Sequence, residues 1–298
     1  MNTRIHFISF ADSKMFNTLL RIKQEAETSG FFNKVDIYTE QDFDPSFTER
    51  FGDFIRQNRR GYGYWIWKSY LINRKLSQLN DGDVLVYCDG GCTVNKYGKQ
   101  RFHDYLQYVK ESMLGIVCFT CGEPDGKYCK GDILDFYSCR SNVDIIKTQQ
   151  IMSGLQIIRV CQNSRSFYHN MSVDIQNNLN LLDDSPSKSP NLPEFVENRH
   201  DQSFFSLLLK KNGEAKVLSG SEVDVWPPSP TNWRRMRKQP FLAMRNRASK
   251  DYSSIFEPYS FYGIYLDVMI FFEKVRSRCR RFFNEFIYFK NVVTSFMR

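Results

Sequence analysis

DGDVLVYCDGGC, residues 81–92, is the stretch from which the fold can be read. Asp81-Gly82 is a turn signal. Asp83 to Tyr87 (DVLVY) is a short apolar run that leads straight into Asp89, Gly90 and Gly91. A run of this length between turn residues reads as a strand buried on both faces. Such strands belong to layered α/β proteins with a largely parallel sheet, in which ligands bind beyond the carboxyl ends of the strands. Asp89 is therefore a candidate to hold a divalent metal on a diphosphate, with Gly90 and Gly91 letting the ligand approach closely. An acidic turn residue after a strand is the competing reading.

The neighbouring segments agree with that architecture. Arg4 to Phe10, Lys34 to Tyr38, Gly115 to Thr120 and Gln156 to Val160 read as strands. Helices are expected from about Lys14 to Thr28, capped by Asp12 or Ser13, and over Phe47–Gln57, Tyr64–Leu79, Gln100–Glu111 and Asp201–Lys211. Strands alternating with helices predict an α/β fold with a mixed, mostly parallel sheet flanked by helices. Asp183 to Glu194 is a Pro/Ser loop, and Trp226-Pro-Pro-Ser-Pro marks the end of the body. The expected division is a body over 1–233 and a basic helical extension over 234–298.

The 298 residues are 42% hydrophobic and 25% charged, which excludes a wholly disordered chain. The formal net charge is +8. Residues 234–298 hold 14 Lys/Arg against 5 Asp/Glu, whereas the first 233 hold 27 against 28. The charge thus belongs to the tail. No run approaches the roughly 18 apolar residues a membrane span needs; the best, Phe261 to Phe272, is short and contains Asp267. The start carries no secretory signal pattern, and eight Cys in such a chain read as free thiols. A cytoplasmic protein is expected.

GYGYWIWKS (61–69) matches neither nucleotide fingerprint. The dinucleotide motif needs glycine at Ile66, and the P-loop needs glycine at Trp67. What remains is a glycine-rich lead into a helix with Trp65, Trp67 and Lys68. Lys68 either faces a phosphate near the helix start or is a solvated lysine beside two core tryptophans. Cys118-x-x-Cys121 with Cys129 and Cys139 lacks the paired spacing of a structural zinc site. HExxH and GxSxG are absent, which removes metalloprotease and serine hydrolase readings.

Taken together, GYGYWIWK (61–68), DGDVLVYCDGGC (81–92), QQIMSGLQIIR (149–159) and NRHDQSFFSLLLKK (198–211) resemble a family of nucleotide-sugar glycosyltransferases of the GT-A fold, found in bacterial surface-polysaccharide clusters and large DNA viruses. The resemblance spans about residues 4–225. It implies a nucleoside-diphosphate-sugar donor, a UDP-sugar first, and a glycan or lipid-linked acceptor. Donor contacts would fall to Trp65, Lys68, Asp89, Gly90, Gly91, Gln150, Gly154 and His200. Asp201 and Gln202 would be the catalytic pair, with retention of anomeric configuration implied by that Asp-Gln element. Capping of the helix by Asp201 is the alternative. The family's Asp-x-Asp motif binds Mn²⁺ or Mg²⁺; here Asp89 stands alone, because Gly91 occupies the second position. A catalytically inactive adaptor of the same fold is the second reading.

Beyond Gly263 apolar residues recur every three or four positions, from Ile264 through Val268, Phe271 and Val275 to Phe296, with Lys274, Arg276, Arg280 and Arg281 mostly off that stripe. This predicts an amphipathic basic helix suited to an anionic membrane surface, to packing on the body, or to pairing with a second copy. No nucleic-acid module accompanies the charge, so nucleic acid is not an expected partner.

Overall fold

A computed structural model describes residues 3–224, 232, 235–246, 256, 264, 268, 269, 271, 272 and 274–280. Its centre is a seven-stranded sheet built from β1 (Ile5–Phe10), β2 (Lys34–Tyr38), β3 (Val84–Cys88), β5 (Ile116–Pro124), β6 (Gln149–Ile151), β7 (Leu155–Arg159) and β8 (Lys216–Leu218). The order is β2-β1-β3-β7-β5-β6, with β8 beside β5. β1, β2 and β3 are mutually parallel; β7 runs against both β3 and β5, and β6 against β5. β8 is parallel to β5. Five strands therefore share one direction. This is the mixed, mostly parallel α/β architecture expected from the sequence.

Both faces of the sheet are covered, which explains why its central strand β3 (VLVYC) is apolar and buried at every position rather than at alternate ones. Ile8, Phe10, Leu85 and Tyr87 point to one side. There they meet α2 (Pro45–Gln57), α3 (Ile66–Gln78), α5 (Gln162–Asn177) and α6 (Asp201–Asn212). Phe7, Val84, Val86 and Cys88 point to the other, against α1 (Phe16–Ser29) and α4 (Lys99–Glu111). α1 lacks the expected side-chain cap: a 3₁₀ turn, Ser13–Met15, precedes it, and Met15 is its N-cap.

A two-residue strand, β9 (Phe241–Leu242), pairs antiparallel with β4 (Thr93–Val94). The Asn95 side-chain amide donates to the carbonyls of Arg237 and Gln239, and Met236, Leu242 and Phe256 are buried together. Packing against the body thus continues past the boundary expected at 233. Most of the basic extension over 234–298, including its predicted helix beyond 280, lies outside the described residues. Where that segment is described, Ile264, Val268, Phe271, Phe272 and Val275 are exposed rather than packed on the body. Among the described residues no helix is long and apolar enough to cross a membrane.

Candidate functional site

β1 leads through α1 to β2 on one side, and the chain then returns to place β3 on the other side of β1. Open α/β sheets bind ligands in the crevice at such a reversal, which here falls between the ends of β1 and β3. Asp89 follows β3 at that crevice. Side chains alternate along a strand, so Tyr87 and Asp89 project to the same face. The Tyr87 hydroxyl donates to Asp89 Oδ1 at 2.5 Å.

On that face lies Lys68, in the first turn of α3. It is neither solvated nor free to face a phosphate. Its side chain is 3% exposed, with Nζ 2.9 Å from Asp201 Oδ2 and 3.2 Å from Asp89 Oδ1. Ser153 Oγ accepts from Lys68 at 3.2 Å and donates to Asp201 Oδ2 at 2.7 Å. Asp201 is 4% exposed, whereas Asp89 is 37% exposed and is the carboxylate that meets solvent. Burial opposes the Lys68 charge, but Asp201 and Asp89 outweigh it and raise its pKa. Burial also raises the pKa of Asp201, against the pull of Lys68. Asp201 is not a helix cap, because its side chain serves Lys68 and Ser153; the N-cap of α6 is His200, with no side-chain cap bond.

The other candidates surround this centre. Asp89 N–H donates to the Gly154 carbonyl at 2.8 Å, and a Cβ on Gly154 would stand 2.8 Å from Asp89 Oδ2. Only glycine leaves that carboxylate oxygen its place. Gln202 donates to Gln150 Oε1 at 2.6 Å and accepts the Ser153 N–H at 3.4 Å. Gln150 is fully buried and Gln202 half-buried. Gly90 is buried beneath the Phe10 carbonyl and Ala11. His200 is 1% exposed, stacked on Tyr64 at 4.5 Å and tilted against Trp65 at 5.6 Å. Burial lowers its pKa. Each of the four sequence motifs therefore contributes a side chain to one cluster.

The lead into α3 is a left-handed turn. Gly61, Tyr62, Gly63, Tyr64 and Trp65 all have positive φ, between 52° and 81°. The Trp67 indole donates to the Gly61 carbonyl at 3.0 Å, and Tyr64 N–H donates to the Arg60 carbonyl at 2.8 Å, which holds the turn closed. The paired glycines hinted at such a turn, but nothing in the sequence marked Tyr62, Tyr64 and Trp65 as left-handed. Sequence reasoning also missed Tyr87 and Ser153, which read as ordinary strand and turn residues.

The donor set does not suit a resident divalent metal. Asp89 Oδ1 is already bonded to Tyr87 and lies beside the Lys68 ammonium, which repels a second cation. Asp201 is buried and engaged. Among the described residues no group of three or more His, Cys, Asp or Glu is placed to hold a metal. The eight cysteines are free thiols, and Cys118 is buried within β5, so the four-cysteine zinc reading has no site. A cavity of about 510 Å³, lined by Tyr137, Asn142, Ile151, Leu209 and Lys211 among others, takes none of the cluster residues in its wall. The cluster is the stronger candidate, because it alone combines a strand-end crevice with buried paired charge.

No protein-family model matches the chain, and no curated protein matches it. Among solved structures, a glycosyltransferase involved in the glycosylation of the major capsid of PBCV-1 is similar at a TM-score of 0.46 and 11% identity. The match covers 83% of this chain and 98% of that one.

Proposed function

We propose that the chain is a glycosyltransferase that takes a sugar from a nucleoside-diphosphate donor. The observation that carries this reading is the convergence of Lys68, Asp89, Gln150 with Gly154, and Asp201 with Gln202 on one crevice at the end of β3. Transfer breaks the bond from the anomeric carbon to the diphosphate oxygen and forms one to an acceptor hydroxyl. The protein's task is to orient the sugar and stabilise charge at that carbon and at the leaving diphosphate.

In this reading Asp89 offers its outer oxygen to the donor sugar, and Gln202 offers its half-buried amide. Lys68, 3.2 Å from Asp89 Oδ1, holds that carboxylate in place. Asp201 acts through Lys68 as a positioning residue, because its oxygens face inward. The expected acceptor is a glycan or a lipid-linked sugar. A metal would have only Asp89 to hold it, so no step is assigned to one. The missing second motif carboxylate favours the competing view, an inactive adaptor of the same fold.

The test is thermal unfolding of the full chain across UDP-, GDP- and dTDP-sugars, with and without Mn²⁺, together with donor hydrolysis. At least one donor is expected to raise the unfolding midpoint and to be hydrolysed, and Asp89→Asn to abolish both. A donor that binds without turnover supports the adaptor. Absence of both binding and hydrolysis refutes the enzyme.

A further inference from the structure

We infer that Arg245 supplies the positive charge facing the donor diphosphate, where the family's second motif carboxylate would bring a metal. The inference rests on the transferase reading above. It begins at Gly91. A Cβ at that position would meet Arg245 Cα at 3.3 Å and its carbonyl carbon at 3.6 Å. The Asn246 N–H donates to the Gly91 carbonyl at 2.8 Å. The chain reaches this point because β9 pairs with β4, immediately after the motif, and because Ala243 N–H bonds the Val223 carbonyl at 2.8 Å. Any side chain at position 91 would thus crowd the backbone of Arg245, which would have to shift to admit it.

Arg245 is held in the left-handed region at φ 51°, a conformation an arginine adopts only at a cost. Its side chain is exposed, and among the described residues no carboxylate pairs with it. Lys68, by contrast, is spent between two carboxylates. Asp89, Asp201 and Lys68 together leave one net negative charge at the crevice, which repels a diphosphate unless another cation offsets it. A guanidinium has the planar fork that matches phosphate oxygens, and it holds its charge at every working pH. Arg245 is the exposed cation whose backbone touches the motif itself.

The experiment is calorimetric titration of the full chain with UDP, GDP and dTDP and with the matching monophosphates, in EDTA and in Mn²⁺. The variants are Arg245→Asn and Arg245→Lys. Asparagine tolerates the left-handed backbone, and the unfolding midpoint reports that each variant is folded. At least one diphosphate is expected to bind in EDTA more tightly than its monophosphate. R245N should weaken that diphosphate by about tenfold to a hundredfold, and R245K less, while the monophosphate stays within about twofold. Unchanged diphosphate affinity in R245N overturns the assignment and leaves the transferase reading standing. So does diphosphate binding that EDTA abolishes and Mn²⁺ restores. Should R245N unfold, R245K decides: a severalfold loss of diphosphate affinity with the monophosphate unchanged supports the fork contact, and wild-type diphosphate affinity overturns it. If no nucleotide binds the wild-type chain in either buffer, the transferase reading falls and the inference with it.

Discussion

Replacing Lys68 by Met removes the one cation between two carboxylates. Asp201, 4% exposed, would keep Ser153 as its hydroxyl donor and lose its counter-charge, with Asp89 still near. Breaking a buried pair from one side typically costs about 3–5 kcal/mol, because the remaining charge is left desolvated. For a protein of this size that corresponds to a fall in the unfolding midpoint on the order of 10 °C. Asp201→Asn alone strands the ammonium less severely, because Asp89 stays 3.2 Å away. In the double variant, K68M with D201N, neither charge remains, so its cost should fall below the sum of the two by about 1–3 kcal/mol. Asp89 is 37% exposed, and D89N should cost about 1 kcal/mol or less once solvent screening is counted. The assay is denaturant unfolding of the four variants and the wild-type protein at neutral pH. A K68M cost below about 1 kcal/mol, or strict additivity in the double variant, refutes the buried-pair account.

Gly154→Ala places a methyl 2.8 Å from Asp89 Oδ2, whose partner oxygen Tyr87 and Lys68 hold in place. Donor binding should fall at least about tenfold, at a stability cost of about 1–3 kcal/mol, read by titration and unfolding on the same sample. His6 and His200 are both held neutral by burial, with pKa values lowered from 6.5. The unfolded chain therefore binds protons first, and stability should decline as pH falls below about 6.5 toward those lowered values. His6→Gln should flatten that decline in an unfolding series from pH 8 to 5. At the described end of the tail, Phe271 and Phe272 are exposed beside Lys274, Arg276, Arg278 and Arg280. The full chain should float with phosphatidylserine vesicles in a salt-sensitive way, and Phe271→Ser with Phe272→Ser should reduce flotation. Flotation unchanged by that pair of substitutions removes the membrane reading.

The strands were legible where an apolar run had turn residues at both ends, as at 83–87. Hydrophobic periodicity carries no direction, so the reversed course of β7 could not be read from LQIIR. β8 and β9 have three and two residues, too few to show any period. The site was half legible. Asp89, Gly154 and Gln202 sit in recognisable motifs. The burial of Lys68 was not readable, because its partner Asp201 comes from a distant helix and a lysine after two tryptophans looks solvated. Arg245 was read with the basic tail because the proline-rich stretch at 226–230 looks like an end of packing.

The backbone gives an independent reason to place chemistry at this crevice. Among the described residues, six other than glycine have positive φ: Tyr62, Tyr64, Trp65, Ser138, His200 and Arg245. All but Ser138 border the cluster. Tyr64 and Trp65 lie against His200, Tyr62 packs on Phe10 at the end of β1, and Arg245 backs Gly91. Each such residue costs about 1–3 kcal/mol, so the five together reach the scale of a whole domain's net stability. Strain of that size persists only where surrounding contacts over-determine it. The stacking of Tyr64 on His200 and the Trp67 bond to Gly61 do so at this point. A scaffold built for stability alone would relax these residues into right-handed turns. Their confinement to one end of β1 and β3 argues that the conformation is kept for what it holds in the crevice.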